Sequence, residues 1–84
     1  MTYLDCSNNK LSKLNTVNNI ELETLKCNNN LLKKLALATN YNLKKLVCNN
    51  NKLIELDLTT NNNLAYLYCK NNLLKSIKQG NNHI

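Results

Sequence analysis

The side chains able to do chemistry in this 84-residue chain are four cysteines, one histidine and five carboxylates. The cysteines, Cys6, Cys27, Cys48 and Cys69, are each separated from the next by 21 residues. A zinc site draws its thiolates from closely spaced pairs such as C-x-x-C, whereas cysteines one repeat apart form a line and not a tetrahedron. Adjacent thiols in a parallel stack are near enough for a disulfide, but their Cβ vectors run parallel, which is poor geometry for one. Free thiols packed as small apolar groups are the leading reading. His83 has no Asp partner in view and no Ser or thiolate nucleophile placed beside it, so neither a triad nor a dyad can be assembled. Asp5, Glu21, Glu23, Glu55 and Asp57 are scattered over different positions of the repeat, and no acid/base pair stands out. The chain therefore reads as a non-enzyme, with no metal and no cofactor.

Charge narrows the partners. The net charge is +6, and all 11 basic residues are lysine. Arginine, whose planar fork grips guanine edges and phosphates in pairs, is absent, which argues against sequence-specific nucleic-acid recognition. A lysine surplus still draws a surface toward anionic polymers, although its simpler role is to keep an Asn- and Leu-rich surface soluble. With no proline and one glycine, collagen, Pro-rich linkers and Gly-rich phosphate loops are excluded. The start of the chain lacks the basic and apolar regions of a signal peptide. No apolar run approaches the roughly 20 residues that cross a bilayer. Two settings fit: a cytoplasmic protein, or a piece of a longer exported one.

The 21-residue spacing extends to the whole chain, which divides into units 1–21, 22–42, 43–63 and 64–84. Leu4, Leu25, Leu46 and Leu67 stand two residues before the cysteines. Asn9, Asn30, Asn51 and Asn72 follow, then Leu11, Leu32, Leu53 and Leu74, then Leu14, Leu35, Leu56 and Ile77. A second asparagine column lies at Asn19, Asn40, Asn61 and Asn82.

Those columns dictate the elements that carry them. Leu-x-Cys alternates with period two and predicts a short strand pointing both side chains inward. The Asn cluster behind it turns the chain, because asparagine tolerates left-handed backbone angles and its amide bonds nearby backbone groups. Leu-x-x-Leu then returns apolar side chains to the same core. Stacked about 4.8 Å apart, the coils convert each leucine column into a buried ladder. Burial of about 1.5 to 3 kcal/mol per leucine must offset about 1 to 2 kcal/mol per residue of backbone entropy. A single coil cannot do this, so neighbours are required. The inward Asn9, Asn30, Asn51 and Asn72 are expected to bond the backbone of their own coil and the next, since an unbonded buried amide costs about 1 to 3 kcal/mol.

The segment Leu43-Lys44-Lys45-Leu46-Val47-Cys48-Asn49-Asn50-Asn51-Lys52-Leu53 reads as L-x-x-L-x-C-x-x-N-x-L, and Leu56-Asp57-Leu58-Thr59-Thr60-Asn61 as L-D-L-x-x-N. In these residues the chain resembles the bacterial leucine-rich repeat family, in its short 21-residue cysteine-ladder subclass. The resemblance implies a right-handed, horseshoe-like solenoid, mainly β, with one short parallel strand per coil and little regular helix. It further implies a binding role and a bacterial surface or host-contact setting.

Two departures mark the outer units. Where the second and third units carry Leu37 and Leu58, the first has Thr16 and the last Gln79, and the return paths there are expected to be less well buried. Both ends stay in register with the repeat, where solenoids normally carry distinct caps. A fragment without caps, open to end-to-end self-association, is the expectation.

What remains is the outer wall. Strand residues alternating with the inward Leu and Cys form three outward columns: Tyr3, Thr24, Lys45 and Tyr66; Asp5, Lys26, Val47 and Tyr68; Ser7, Asn28, Asn49 and Lys70. They vary between units while the core columns repeat. Three of the four tyrosines fall there, and tyrosine favours interfaces by its wide, stiff, amphipathic contact, although it is also a good strand former. The leading functional expectation is a protein-protein interaction module whose sheet face binds through Tyr3, Lys26, Lys45, Val47, Tyr66 and Tyr68. The alternatives are a carbohydrate or anionic cell-wall polymer binder using Lys26, Lys44, Lys45 and Lys70, and a structural spacer within a larger surface protein.

Overall fold

A computed structural model describes residues 1–82 of the chain. His83, the lone histidine, lies outside the described residues.

Six short strands follow one another: β1 (Tyr3–Asp5), β2 (Thr24–Lys26), β3 (Lys45–Val47), β4 (Glu55–Leu58), β5 (Tyr66–Tyr68) and β6 (Ser76–Gln79). No helix occurs among the described residues. Strands β1, β2, β3 and β5 form one parallel sheet in that order, and each pairing joins residues 21 apart: Leu4 to Leu25, Leu25 to Leu46, Leu46 to Leu67. The shift of one whole unit at every pairing is what a solenoid of about four turns requires. Repetition at the same register is also what lets the period-two pattern work, because a slip by one residue would turn every inward leucine to solvent.

The interior is a stack of leucine and cysteine columns. Leu22, Leu25, Cys27, Leu32, Leu43, Leu46, Cys48, Leu53 and Leu58 are completely buried. Their equivalents in the outer coils, Leu4, Cys6, Leu11, Leu67, Cys69 and Leu74, pack on this core but are only partly buried, because each has a neighbouring coil on one side only.

Between strand and return path the chain turns at the middle of each asparagine cluster. Asn8, Asn29, Asn50 and Asn71 have φ of 62°, 57°, 59° and 56°, the left-handed region in which a short polar side chain is tolerated better than other non-glycine residues.

Two expectations are corrected. The third and fourth coils carry a second strand each: β4 and β6 pair in parallel, with Leu56 opposite Ile77 and Leu58 opposite Gln79. Glu55-Leu56-Asp57-Leu58 alternates exposed and buried, so the return path holds the same period-two signal as the Leu-x-Cys strand. In the first coil's return path the correction is confined to Thr16, which is buried and hydrogen-bonded to the second coil; Leu14 there is only partly buried, where its equivalents Leu35 and Leu56 are buried, as expected of an outer unit. The fourth coil follows the expectation, with Ile77 and Gln79 exposed.

Candidate functional site

Three sets of side chains converge in this fold: the thiols, the asparagine ladders and the outer sheet face.

The thiols form a single column along the stack, and all four are free. Cys27 and Cys48 are sealed between neighbouring coils. Burial raises the Cys27 thiol to about 12, with smaller contributions from Cys6 and Asp5. Burial likewise pushes Cys48 well up, reinforced by Cys27 and Cys69, and raises Cys6 and Cys69. A thiolate is the nucleophilic and metal-binding form, so these environments suppress both kinds of chemistry. Among the described residues no three His, Cys, Asp or Glu side chains come together as a metal site.

The first asparagine column joins coils. Asn51 Nδ2 donates to Cys27 O of the coil below at 2.9 Å and to Cys48 O of its own coil at 3.3 Å, while its Oδ1 accepts from Leu32 N at 3.1 Å. Asn30 and Asn72 repeat this pattern. These amides are consumed by the backbone and offer nothing to a ligand. The second column does equivalent work on the other side of the coil. Asn61 Nδ2 donates to Leu37 O at 3.0 Å and Asn40 O at 2.9 Å, and Asn40 and Asn82 make the same pair of bonds. The repeat makes this second column visible in the sequence, but only the fold shows which carbonyls it meets.

The sheet face carries all six residues singled out from the sequence. Tyr3, Lys45 and Tyr66 share one cross-strand row, and Lys26, Val47 and Tyr68 the next. Tyr3, Tyr66 and Tyr68 are exposed, and Lys26, Lys45 and Val47 half-buried. Two diagonal contacts organise them: Lys26 Nζ lies 5.5 Å from the Tyr3 ring centroid and Lys45 Nζ 5.9 Å from that of Tyr68. Both distances allow a cation–π attraction. The diagonal was legible in principle, because residues two apart on adjacent strands lie within reach of long side chains. Asp5 sits on the same face, its carboxyl held below its ordinary value by the Ser7 hydroxyl and amide, and by the Lys26 ammonium. Ser7 N donates to Asp5 Oδ1 at 3.0 Å.

The third outward column is not free. Ser7 Oγ accepts from Asn28 N at 3.0 Å, Asn28 Oδ1 from Asn49 N at 2.8 Å and Asn49 Oδ1 from Lys70 N at 2.7 Å. The Ser7, Asn28 and Asn49 side chains thus tie successive coils together, while Lys70 takes part only through its backbone amide and is exposed. Of the other lysines considered, Lys44 meets Glu23 at 3.2 Å. Tyr41 is exposed in the return region, away from the sheet. No helix among the described residues is long and apolar enough to cross a membrane.

Comparison with known proteins agrees with this geometry. No family model matches the chain, and no curated protein does. The fold superposes on the functional domain of InlJ from Listeria monocytogenes, a domain that includes a cysteine ladder, with a TM-score of 0.82 and 35% sequence identity. The match covers 84% of this chain and 16% of that one, so the chain spans a small part of the length of the protein it is similar to. In its 21-residue coils, parallel strands, aligned thiols and buried asparagines, the chain has a leucine-rich-repeat-like solenoid fold with a cysteine ladder, similar to that of the InlJ domain.

Proposed function

We propose that the chain is a non-enzymatic binding module that holds a protein partner on the outer face of the β1-β2-β3-β5 sheet. One observation carries this reading. The side chains of the two exposed rows, Tyr3 through Tyr66 and Asp5 through Tyr68, differ from coil to coil on a backbone whose inward columns are nearly invariant. Such a wall changes its chemistry without disturbing its core. The lysines lying over Tyr3 and Tyr68 hold part of the surface in one arrangement, which lowers the entropy lost on binding. The similarity to an InlJ domain supports a binding role.

The test uses the immobilised chain beside a variant with Tyr66→Ser and Tyr68→Ser. Both tyrosines are exposed, so the variant is expected to keep its fold and to lose a protein captured by the parent. Undiminished capture by a folded variant would show that the face is wrongly chosen. A second reading is favoured by the ammonium groups of Lys26 and Lys45 on the same face: an anionic polysaccharide. Heparin serves as the probe. Binding that collapses with added salt and with Lys26→Gln and Lys45→Gln supports the polymer reading, and binding indifferent to salt supports the protein partner.

A further inference from the structure

Beyond the asparagine turn of each coil the chain runs alongside its neighbours once more. Leu31 N donates to Leu11 O at 2.8 Å, Lys52 N to Leu32 O at 2.8 Å and Leu73 N to Leu53 O at 2.9 Å. These bonds hold the segments in one register, so residues 21 apart succeed one another about every 4.8 Å along the stack. Leu11, Leu32, Leu53 and Leu74 belong to the core, and the residues on either side of each point outward.

Those outward residues make a pattern of their own. One column reads Lys10, Leu31, Lys52, Leu73 and the other Ser12, Lys33, Ile54, Lys75. From the second coil upward, every coil thus presents one lysine and one aliphatic side chain, and their order reverses at each step. All are exposed. Leu31 and Ile54 are 42% and 46% exposed although each has a coil on both sides, so their exposure is lateral. Lys13 and Lys34 stand in the adjoining column, where Glu55 is the one carboxylate. Among the described residues none of these six lysines is paired with an acid; the ion pair formed is that of Lys44 with Glu23.

We infer that this flank is a docking surface for an anionic lipid bilayer. Charge and chemistry select that occupant. Six lysines against one carboxylate complement a negatively charged membrane surface. The aliphatic side chains between them gain nothing from a soluble polyanion. They reach the acyl boundary, however, when the ammonium groups sit among lipid phosphates and the lysine stems lie along Leu31 and Ile54. The core of a protein-protein interface is depleted in lysine and enriched in aromatic residues, and these three columns contain no aromatic residue. The flank shares no residue with the sheet face, so the inference stands apart from the binding role proposed above.

Co-sedimentation of the 84-residue chain with lipid vesicles tests it. Binding is expected when phosphatidylglycerol is mixed into phosphatidylcholine and not with phosphatidylcholine alone, and it is expected to weaken as salt rises. Lys33→Gln and Lys52→Gln are each expected to lower the partition coefficient about fivefold. Leu31→Ser combined with Ile54→Ser is expected to lower it about tenfold at unchanged net charge, whereas Tyr66→Ser with Tyr68→Ser leaves it as it is. The chain has no tryptophan, so Leu31→Trp reports insertion by itself, and its emission is expected to shift to the blue on the anionic vesicles. Should the serine variant prove unfolded by circular dichroism, that emission decides. Failure to bind anionic vesicles, an unshifted tryptophan on bound protein, a folded serine variant that binds like the parent, or dependence on the two tyrosines would each overturn the proposal. Heparin retained through Lys33 and Lys52 while vesicles go unbound would overturn it too, assigning the lysines to a soluble polyanion.

Discussion

Thr16 Oγ1 donates to Asn40 Oδ1 at 2.9 Å across the boundary between the first and second coils. At the two boundaries above, leucine holds the threonine's place, and Asn61 Oδ1 and Asn82 Oδ1 are buried without a partner. The threonine that breaks the leucine column thus satisfies the Asn40 amide oxygen, while Leu37 and Leu58 add apolar burial and leave the equivalent oxygens of Asn61 and Asn82 unmet.

That contrast inverts a normal preference. In an apolar core, valine is better than its isostere threonine because the hydroxyl must be desolvated. At position 37 a threonine hydroxyl can donate to Asn61 Oδ1, so Leu37→Thr is expected to be at least as stable as Leu37→Val, both lying below the parent. Thr16→Val is expected to cost about 1 to 3 kcal/mol. Chemical denaturation of the three variants checks the order, and a Leu37→Thr chain clearly weaker than the Leu37→Val chain would contradict it.

The first asparagine column is expected to be expensive to break at its centre and inexpensive at its edge. Asn51→Leu leaves the buried Leu32 N without its acceptor, at about 1 to 3 kcal/mol, and removes one of the two amide donors from each of Cys27 O and Cys48 O, which keep those of Asn30 and Asn72. Asn9 bonds only carbonyls of its own coil, in an exposed setting, and Asn9→Leu is expected to cost less than about 1 kcal/mol. Melting temperatures compared for the two variants test the ladder, which would be refuted by an Asn51→Leu chain melting with the parent.

The turn positions are expected to separate glycine from alanine. Asn50 has φ 59°, where a Cβ is disfavoured by about 1 to 2 kcal/mol. Asn50→Gly is expected to be nearly neutral and Asn50→Ala destabilising, by equilibrium unfolding. Both lose the 2.8 Å bond from Asn71 Nδ2 to Asn50 Oδ1, so their difference isolates the backbone.

The thiols are expected to make the fold sensitive to alkali. In the folded chain burial raises Cys27 to about 12 from an ordinary 9.0. Above pH 9 the unfolded chain therefore loses a proton that the folded chain keeps, and stability falls as pH rises from the unfolded toward the folded value. The slope is about 1.4 kcal/mol per pH unit for each such thiol. Cys48, raised likewise, steepens the fall. Denaturant midpoints measured across this range are expected to decline less in a variant carrying Cys27→Ala and Cys48→Ala. Native-state thiol titration is expected to label Cys6 and Cys69 ahead of the two buried cysteines, and equal rates at all four would contradict the burial order.

Periodicity alone determined the stack in this protein. Equal spacing of Cys6, Cys27, Cys48 and Cys69 leaves a parallel pile as the arrangement in which Leu-x-Cys strands of adjacent units share one core, and the side-chain alternation fixes which residues face out. Tyr3, Lys26, Lys45, Val47, Tyr66 and Tyr68 could be assigned to the outer wall for that reason. What a repeat cannot encode is the relation between unlike positions. The lysines leaning diagonally over tyrosines, the use of Asn28 and Asn49 as rungs between coils, and the hydroxyl of Thr16 reaching Asn40 each join different columns in different turns. Those contacts depend on the distance and angle between coils, which the packed leucine core sets only once the whole solenoid has formed.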